Sequence, residues 1–267
     1  MRRVFVALAC ALVGIALVSC SSSGGSDPGD SQRPTVSSVV PSDGSTDQSL
    51  VQSVEITFSE QMDPSTITDT TLLLAGRTPV PHVRYDEASR TATITPDTLY
   101  AAQTWHEAII TEDVTDAAGN PAWPETLTFQ TGPMDTEHLD DAMEPNEEIA
   151  GASPVGIGVT YYSLTATDDD KDTYEFTLSE RRKVTFATLI KHAPNNPPRW
   201  PGWQIHFMRA DGEYYATRGT GAEQGHTPDF SFSFSPGTYY CEIYSSYGLE
   251  TDDYILYDLE VISGEPC

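Results

Sequence analysis

The chain reads as an all-β protein built from two antiparallel β-sandwich domains in tandem. Three observations predict this. Short runs alternate apolar and polar residues, which turns one face of each run to a core and the other to water. Turn formers such as Pro41-Ser42-Asp43-Gly44, Asp63-Pro64-Ser65 and Ala118-Gly119-Asn120-Pro121 separate the runs, and these residue types favour chain reversal through fixed φ or side-chain bonds to their own backbone. No segment of the body of the chain sustains a helical apolar period.

The first element is not part of either sandwich. Arg2 and Arg3 precede an apolar or small stretch from Val4 to Val18, which ends in Leu17-Val18-Ser19-Cys20. This is the layout of a removable secretory signal. The tetrapeptide resembles the lipobox of bacterial lipoproteins, and the resemblance implies that residues 1–19 are a signal peptide and that Cys20 is lipidated. An uncleaved transmembrane helix is the alternative, but the run is shorter than the ~20 residues a span requires. Residues 20–33 hold the lipidated Cys20 and a Ser, Gly, Asp and Pro-rich tether that lacks the apolar surface to offset ordering entropy. Ser21, where Asp would signal inner-membrane retention, implies the outer-membrane class. The expected location is therefore the bacterial cell envelope, periplasmic or surface-facing, after export.

Charge narrows the partners. The chain carries 14 Lys and Arg against 40 Asp and Glu, a formal net charge of −26. That argues against nucleic acid as a partner, because phosphate binding needs a basic footprint. It also disfavours docking on anionic lipid, so membrane association is expected only through the N-terminal lipid. Of the four cysteines, Cys10 falls in the signal and Cys20 is acylated. Cys241 and Cys267 remain, an even pair in an exported chain and hence a candidate disulfide, worth about 3 kcal/mol in the chain-entropy picture. Two free thiols are the alternative, since sequence does not fix their separation.

Residues 34–133 form the first predicted sandwich. Val54-Glu55-Ile56-Thr57-Phe58, Ala92-Thr93-Ile94-Thr95 and Leu127-Thr128-Phe129-Gln130-Thr131 alternate as half-buried strands. Together with Val40-Pro41-Ser42-Asp43-Gly44, Ser59-Glu60-Gln61-Met62-Asp63-Pro64 and Asp116-Ala117-Ala118-Gly119-Asn120-Pro121, this series resembles the SbsA-type bacterial Ig-like domain. The resemblance implies a spacer and display module with no catalytic residues. Glu60, Asp63 and Asp116 to Asn120 invite a metal reading as well as a turn-and-cap reading.

Residues 134–148 are acidic and poor in β-branched residues, as suits an exposed linker. Residues 149–267 form the second predicted sandwich. Its strand candidates are Tyr174–Leu178, Val184–Leu189, Phe230–Phe234 and Tyr254–Leu259, and the Phe230, Phe232, Phe234 alternation is the clearest in the chain. Glu144-Pro145-Asn146-Glu147, Asp170-Lys171-Asp172-Thr173-Tyr174, Ser235-Pro236-Gly237-Thr238-Tyr239-Tyr240 and the Tyr254-x-Leu256 strand resemble the pre-peptidase C-terminal (PPC) domain found beside secreted bacterial proteases.

Two clusters could carry chemistry. Asp168-Asp169-Asp170-Lys171-Asp172 sets four carboxylates in a short run, which is costly unless water or a cation screens them. Calcium takes six to eight oxygen ligands, and the PPC resemblance nominates Glu144, Asn146, Asp170 and Asp172 as its holders. Where collagen-binding members of that family carry a further acid two places before the Glu, this chain has Ala142, so a solvated acidic loop stands as the alternative. Trp200 and Trp203, with Tyr214 and Tyr215, either form an aromatic platform for a ligand or cover the edge of the sandwich.

Catalysis finds little support. The six histidines lack metal-ligand spacing, and HExxH, GxSxG, Walker and Rossmann fingerprints are missing. Paired carboxylates alone do not exclude a glycosidase dyad, but both halves of the chain are used up by small sandwiches. The expected function is a non-catalytic envelope lipoprotein with an Ig-like spacer and a distal sandwich that binds a protein, matrix or glycan ligand. The alternatives are an accessory to, or remnant of, a secreted protease system, and a purely structural envelope protein.

Overall fold

A computed structural model describes residues 29–77, 80–167, 171–193, 203–220, 225, 229–245 and 254–266. The expected signal peptide (residues 1–19), Cys20, Asp168 to Asp170, Trp200 and Cys267 lie outside the described residues. The described chain is all β, with three short 3-10 turns at Pro64–Thr66, Thr136–Leu139 and Ile149–Gly151.

The N-terminal sandwich comprises β1 (Val36–Val40), β2 (Ser45–Gln48), β3 (Val54–Phe58), β4 (Leu72–Leu74), β5 (His82–Asp86), β6 (Thr91–Thr95), β7 (Trp105–Ile110) and β8 (Glu125–Thr131). One sheet runs β1-β3-β6-β5 and the other β2-β8-β7-β4. The period of two places Val54, Ile56 and Phe58 of β3, Ala92 and Ile94 of β6, and Leu127 and Phe129 of β8 in one core. The turn formers act as their chemistry requires. Asp43 Oδ1 accepts from Thr128 N at 2.7 Å, tying the first turn to β8, and Asp63 Oδ1 caps its turn by accepting from Ser65 N. Asp116 Oδ1 accepts from Ala118 N and Asn120 N, both at 2.8 Å. The end of the tether is also held, because Arg33 Nε donates to Pro121 O at 2.8 Å and its guanidinium lies 4.2 Å from the Trp123 ring centre.

The second sandwich comprises β9 (Ser153–Pro154), β10 (Thr160–Ala166), β11 (Lys171–Leu178), β12 (Arg182–His192), β13 (Trp203–Arg209), β14 (Tyr214–Thr220), β15 (Asp229–Phe234), β16 (Gly237–Ser245) and β17 (Ile255–Pro266). A four-stranded sheet β10-β17-β12-β15 faces a five-stranded sheet β14-β13-β16-β11-β9. Phe234 packs edge-on against Phe176 and Phe207, and Phe230 and Phe232 join the same cluster. Cys241 is a free, fully buried thiol among the described residues, and Cys267, its expected disulfide partner, lies outside them. In register with Phe207 and Tyr174, Cys241 points into the core from a central strand.

The joint is more closely held than its acidic composition predicts. Leu139 and Asn146 are buried. Leu50 N and Ser49 Oγ of the N-terminal sandwich both donate to His138 O, while Leu139 O accepts from Thr165 Oγ1 of β10. Donors on both bodies, invisible to composition, meet carbonyls of the joint and fix this path. The sandwiches also touch directly. Lys191 Nζ on β12 lies 2.6 Å from Asp97 Oδ1 and 2.8 Å from Asp258 Oδ1, Ser163 Oγ donates to Pro96 O, and the His82 and Tyr162 rings stack at 3.6 Å.

Candidate functional site

Three groups of carboxylates or imidazoles converge among the described residues: His82, Asp97 and Asp258; Asp30, Glu60 and Asp116; and Asp141, Glu144 and Asp172. The first already holds a cation, since Lys191 Nζ sits between Asp97 and Asp258. In the second, both oxygens of Asp116 are taken up by its own turn, including Asn120 Nδ2 on Oδ2 at 2.8 Å. The third differs, because two oxygens at its centre have no hydrogen-bond partner.

Asp172 is the second residue of β11 and is fully buried, as is Asn146. Asn146 O accepts from Thr173 N at 2.9 Å, which clamps the linker along β11. Asn146 N donates to Glu144 Oε2 at 3.0 Å, and Asn146 Nδ2 lies 3.5 Å from Asp172 Oδ1. Asp141 arrives from the linker with Oδ1 accepting from Met143 N and Oδ2 from Thr165 N. Asp172 Oδ2 accepts from Tyr257 OH at 2.6 Å, which in turn meets Tyr174 OH. Glu144 Oε1 and Asn146 Oδ1 are the two buried oxygens without a hydrogen-bond partner.

Burial and the neighbouring acids raise the Asp141 and Glu144 carboxyls above their usual range; backbone hydrogen bonds to Asp141, and from Asn146 to Glu144, oppose the shift in part. Three acids gathered in a desolvated corner repel unless a proton or cation intervenes. The donor set is oxygen only, which suits a hard cation such as calcium rather than zinc or copper. The orphaned Glu144 Oε1 and Asn146 Oδ1 fit that chemistry. Asp141, Glu144, Asn146 and Asp172 are the residues that would hold the ion. Glu144, Asn146 and Asp172 of the sequence-nominated set thus come together. Asp141 escapes the sequence reading because the family spacing points to Ala142, one residue on, and only the path of the linker turns Asp141 inward.

The aromatic platform takes a different form from the expected one. Trp203 is fully buried, packing edge-on at 4.8 Å from Tyr257 and donating from Nε1 to Thr188 Oγ1. It opens β13 facing inward, so it is core and not ligand surface. Tyr215 likewise stacks on Phe234. Tyr214, at 60% exposure, sits instead on the outer face of the five-stranded sheet. There its ring meets His206 edge-on at 5.0 Å, and His206 meets Tyr244 at 5.0 Å. Tyr244 OH lies 3.2 Å from His206 Nε2, and Lys171 Nζ lies 5.4 Å from the Tyr244 ring centre. A groove of about 730 Å³ adjoins this face, lined by Glu147, Glu148, Lys171, Asp211, Gly212 and Glu242 among others. His206 and Tyr244 are not legible as partners in the sequence, since they come from β13 and β16 and only strand register joins them.

Fold and sites together define a tandem β-sandwich protein with an oxygen-lined corner at the root of its second domain. Residues 30–131 match the family model of a bacterial Ig-like domain. Among solved structures, the chain is similar to the pre-peptidase C-terminal domain of collagenase from Bacillus anthracis, at 20% identity and a TM-score of 0.31, covering 44% of this chain and 97% of that one. It is similar to the N-terminal part of the bacterial S-layer protein SbsC at 15% identity and a TM-score of 0.31, over 84% of this chain and 44% of that one. It is also similar to SGBP-B from a complex xyloglucan utilization locus in Bacteroides uniformis, at 11% identity and a TM-score of 0.22, over 87% of this chain and 73% of that one. No curated protein matches the chain in sequence.

Proposed function

We propose that this is a non-catalytic lipoprotein of the bacterial cell envelope, anchored through Cys20, whose Ig-like domain spaces a ligand-binding second sandwich from the membrane. The observation that carries the proposal is the outer face of the five-stranded sheet. Exposed Tyr214 and Lys171 present an aromatic ring and an ammonium to solvent there, backed by the half-buried His206 and Tyr244, beside a carboxylate-lined groove. Rigid aromatic rings with polar tips are the side chains that dominate recognition surfaces. The ligand is a protein or glycan of the cell exterior, and the acidic groove favours one that is neutral or basic.

Calcium enters as a structural ion. Asp141, Glu144, Asn146 and Asp172 would hold it, and its charge would neutralise the repulsion among the three acids and fasten the linker to β11, which carries Lys171 onto the ligand face. The test uses the acyl-free chain starting at Ser21, applied to arrays of extracellular matrix proteins and bacterial glycans with and without calcium. Binding that is saturable and lost in Tyr214→Ala/Tyr244→Ala supports the reading. Failure to find any array ligand whose binding falls in that double variant refutes it. Calorimetry without heat on calcium addition, together with an unchanged melting temperature, removes the ion from the scheme.

A further inference from the structure

The Ig-like domain carries a cleft that a spacer does not need. We infer that it is a binding site for a neutral sugar, a pyranose unit of an uncharged glycan, built around Trp105 on the open face of the β2-β8-β7-β4 sheet. Trp105 is 51% exposed, and the cleft beside it, about 650 Å³, is lined by Ala75, Gly76, His106, Glu107 and Thr128. Neither the Trp105 ring nor the Glu107 carboxylate has a protein partner among the described residues. An indole left half in water on a flat sheet face keeps apolar area exposed at a cost.

Sheet register supplies the polar groups. Trp105 lies opposite Gln130, and Glu107 opposite Thr128, so both pairs sit on the same face as β7 and β8 alternate. Ala75 N donates to Glu107 O at 2.9 Å, which brings the Ala75-Gly76 turn to the rim. Gly76 has a φ of +68° and open space where a Cβ would point, so that rim is low. Asp43 Oδ1 accepts from both Thr128 N and Thr128 Oγ1. With its proton engaged by Asp43, the Thr128 hydroxyl offers lone pairs to the cleft. Gln130 Nε2 donates to Gln103 O at 3.4 Å, which leaves its amide oxygen as a further acceptor.

The occupant follows from this inventory. One ring covers far less than the roughly 800 Å² per partner of a stable protein interface, so the ligand unit is small. The Glu107 carboxylate, the Thr128 hydroxyl and the Gln130 amide oxygen are acceptors, so the ligand supplies donors, which is what sugar hydroxyls do. The Glu107 carboxylate and the net charge of −26 repel anions. A ligand with a flat C–H face for the indole and a rim of hydroxyl donors is a neutral pyranose.

The experiment is isothermal titration of the chain starting at Ser21 with cellohexaose and chitohexaose, as neutral probes, and with polygalacturonate as an anionic one. Saturable binding of a neutral probe is expected, weakened about tenfold or more by Trp105→Ala and less by Trp105→Phe. Unchanged melting temperatures show that the variants fold. The inference is overturned if neither neutral probe binds at millimolar concentration, if Trp105→Ala binds as well as the parent, or if polygalacturonate binds equally.

Discussion

Replacing Lys191 by Met should be among the most damaging single changes to the chain outside the two cores. Lys191 crosses from one sandwich to the other, with its Nζ 2.6 Å from Asp97 Oδ1, 3.2 Å from Asp97 O and 2.8 Å from Asp258 Oδ1. The side chains are only 11%, 19% and 10% exposed for Lys191, Asp97 and Asp258. Removing one partner of a buried ion pair leaves the others uncompensated, which costs about 3–5 kcal/mol, whereas replacing the whole group by neutral residues is often close to neutral. Lys191→Met is therefore expected to lower the stability of the second sandwich by about 3 kcal/mol or more in urea unfolding. The triple variant Lys191→Met/Asp97→Asn/Asp258→Asn should recover most of that. The amide oxygen that Asp258→Asn introduces can still accept from Ser163 N, as the Asp258 carboxylate does at 2.9 Å. Small-angle scattering should show a wider spread of sandwich orientations in the single variant. Burial raises the Asp97 pKa, but hydrogen bonds from Lys191 and His82 outweigh it and hold the carboxyl below its ordinary value of 3.8. The stability it contributes is thus fully present above that value and is lost as pH falls through the depressed pKa. A loss under about 1 kcal/mol, the magnitude of a surface pair, would refute the reasoning.

Two further outcomes are expected. Trp203→Ala should destabilise the second sandwich by about 3–5 kcal/mol, as for large buried aromatics, while leaving binding on the outer face intact at temperatures where the variant is folded; a stable variant that loses binding would restore the platform reading. His138 donates to Asp135 at 2.6 Å and lies 3.1 Å from Asp47, and the Asp135 bond, opposed by burial and aided by Asp47, raises its pKa above 6.5. Its contribution is fully present below the ordinary value and lost as pH rises through the raised one, so the stability gap between parent and His138→Ala should narrow as pH rises above the ordinary value of 6.5. A gap that widens over that range would show the sign to be wrong.

Strand periodicity carries the fold class because it is a local property. Val54, Ile56 and Phe58, or Phe230, Phe232 and Phe234, must share a face whatever lies opposite, as side chains alternate along any extended chain. Turn chemistry is local too, which is why Asp43, Asp63 and Asp116 are legible as turn residues before their partners are known. The same local rules place Glu144, Asn146 and Asp172 near one another only through a borrowed spacing, and that spacing passes over Asp141.

The amino-acid sequence by itself determined the strands, their inward faces, the strongly acidic charge and the candidate export signal. What only the tertiary structure decided is which side chains from distant strands meet. Trp203 and Cys241 look alike in sequence to exposed or bondable residues, yet each opens or occupies a strand whose inward phase is set by its neighbours in the sheet. Tyr214, His206 and Tyr244 meet through register across three strands, and Lys191 finds Asp97, 94 residues away, across the joint. Register and domain docking are set by the summed burial of whole faces, and no window of sequence contains that sum.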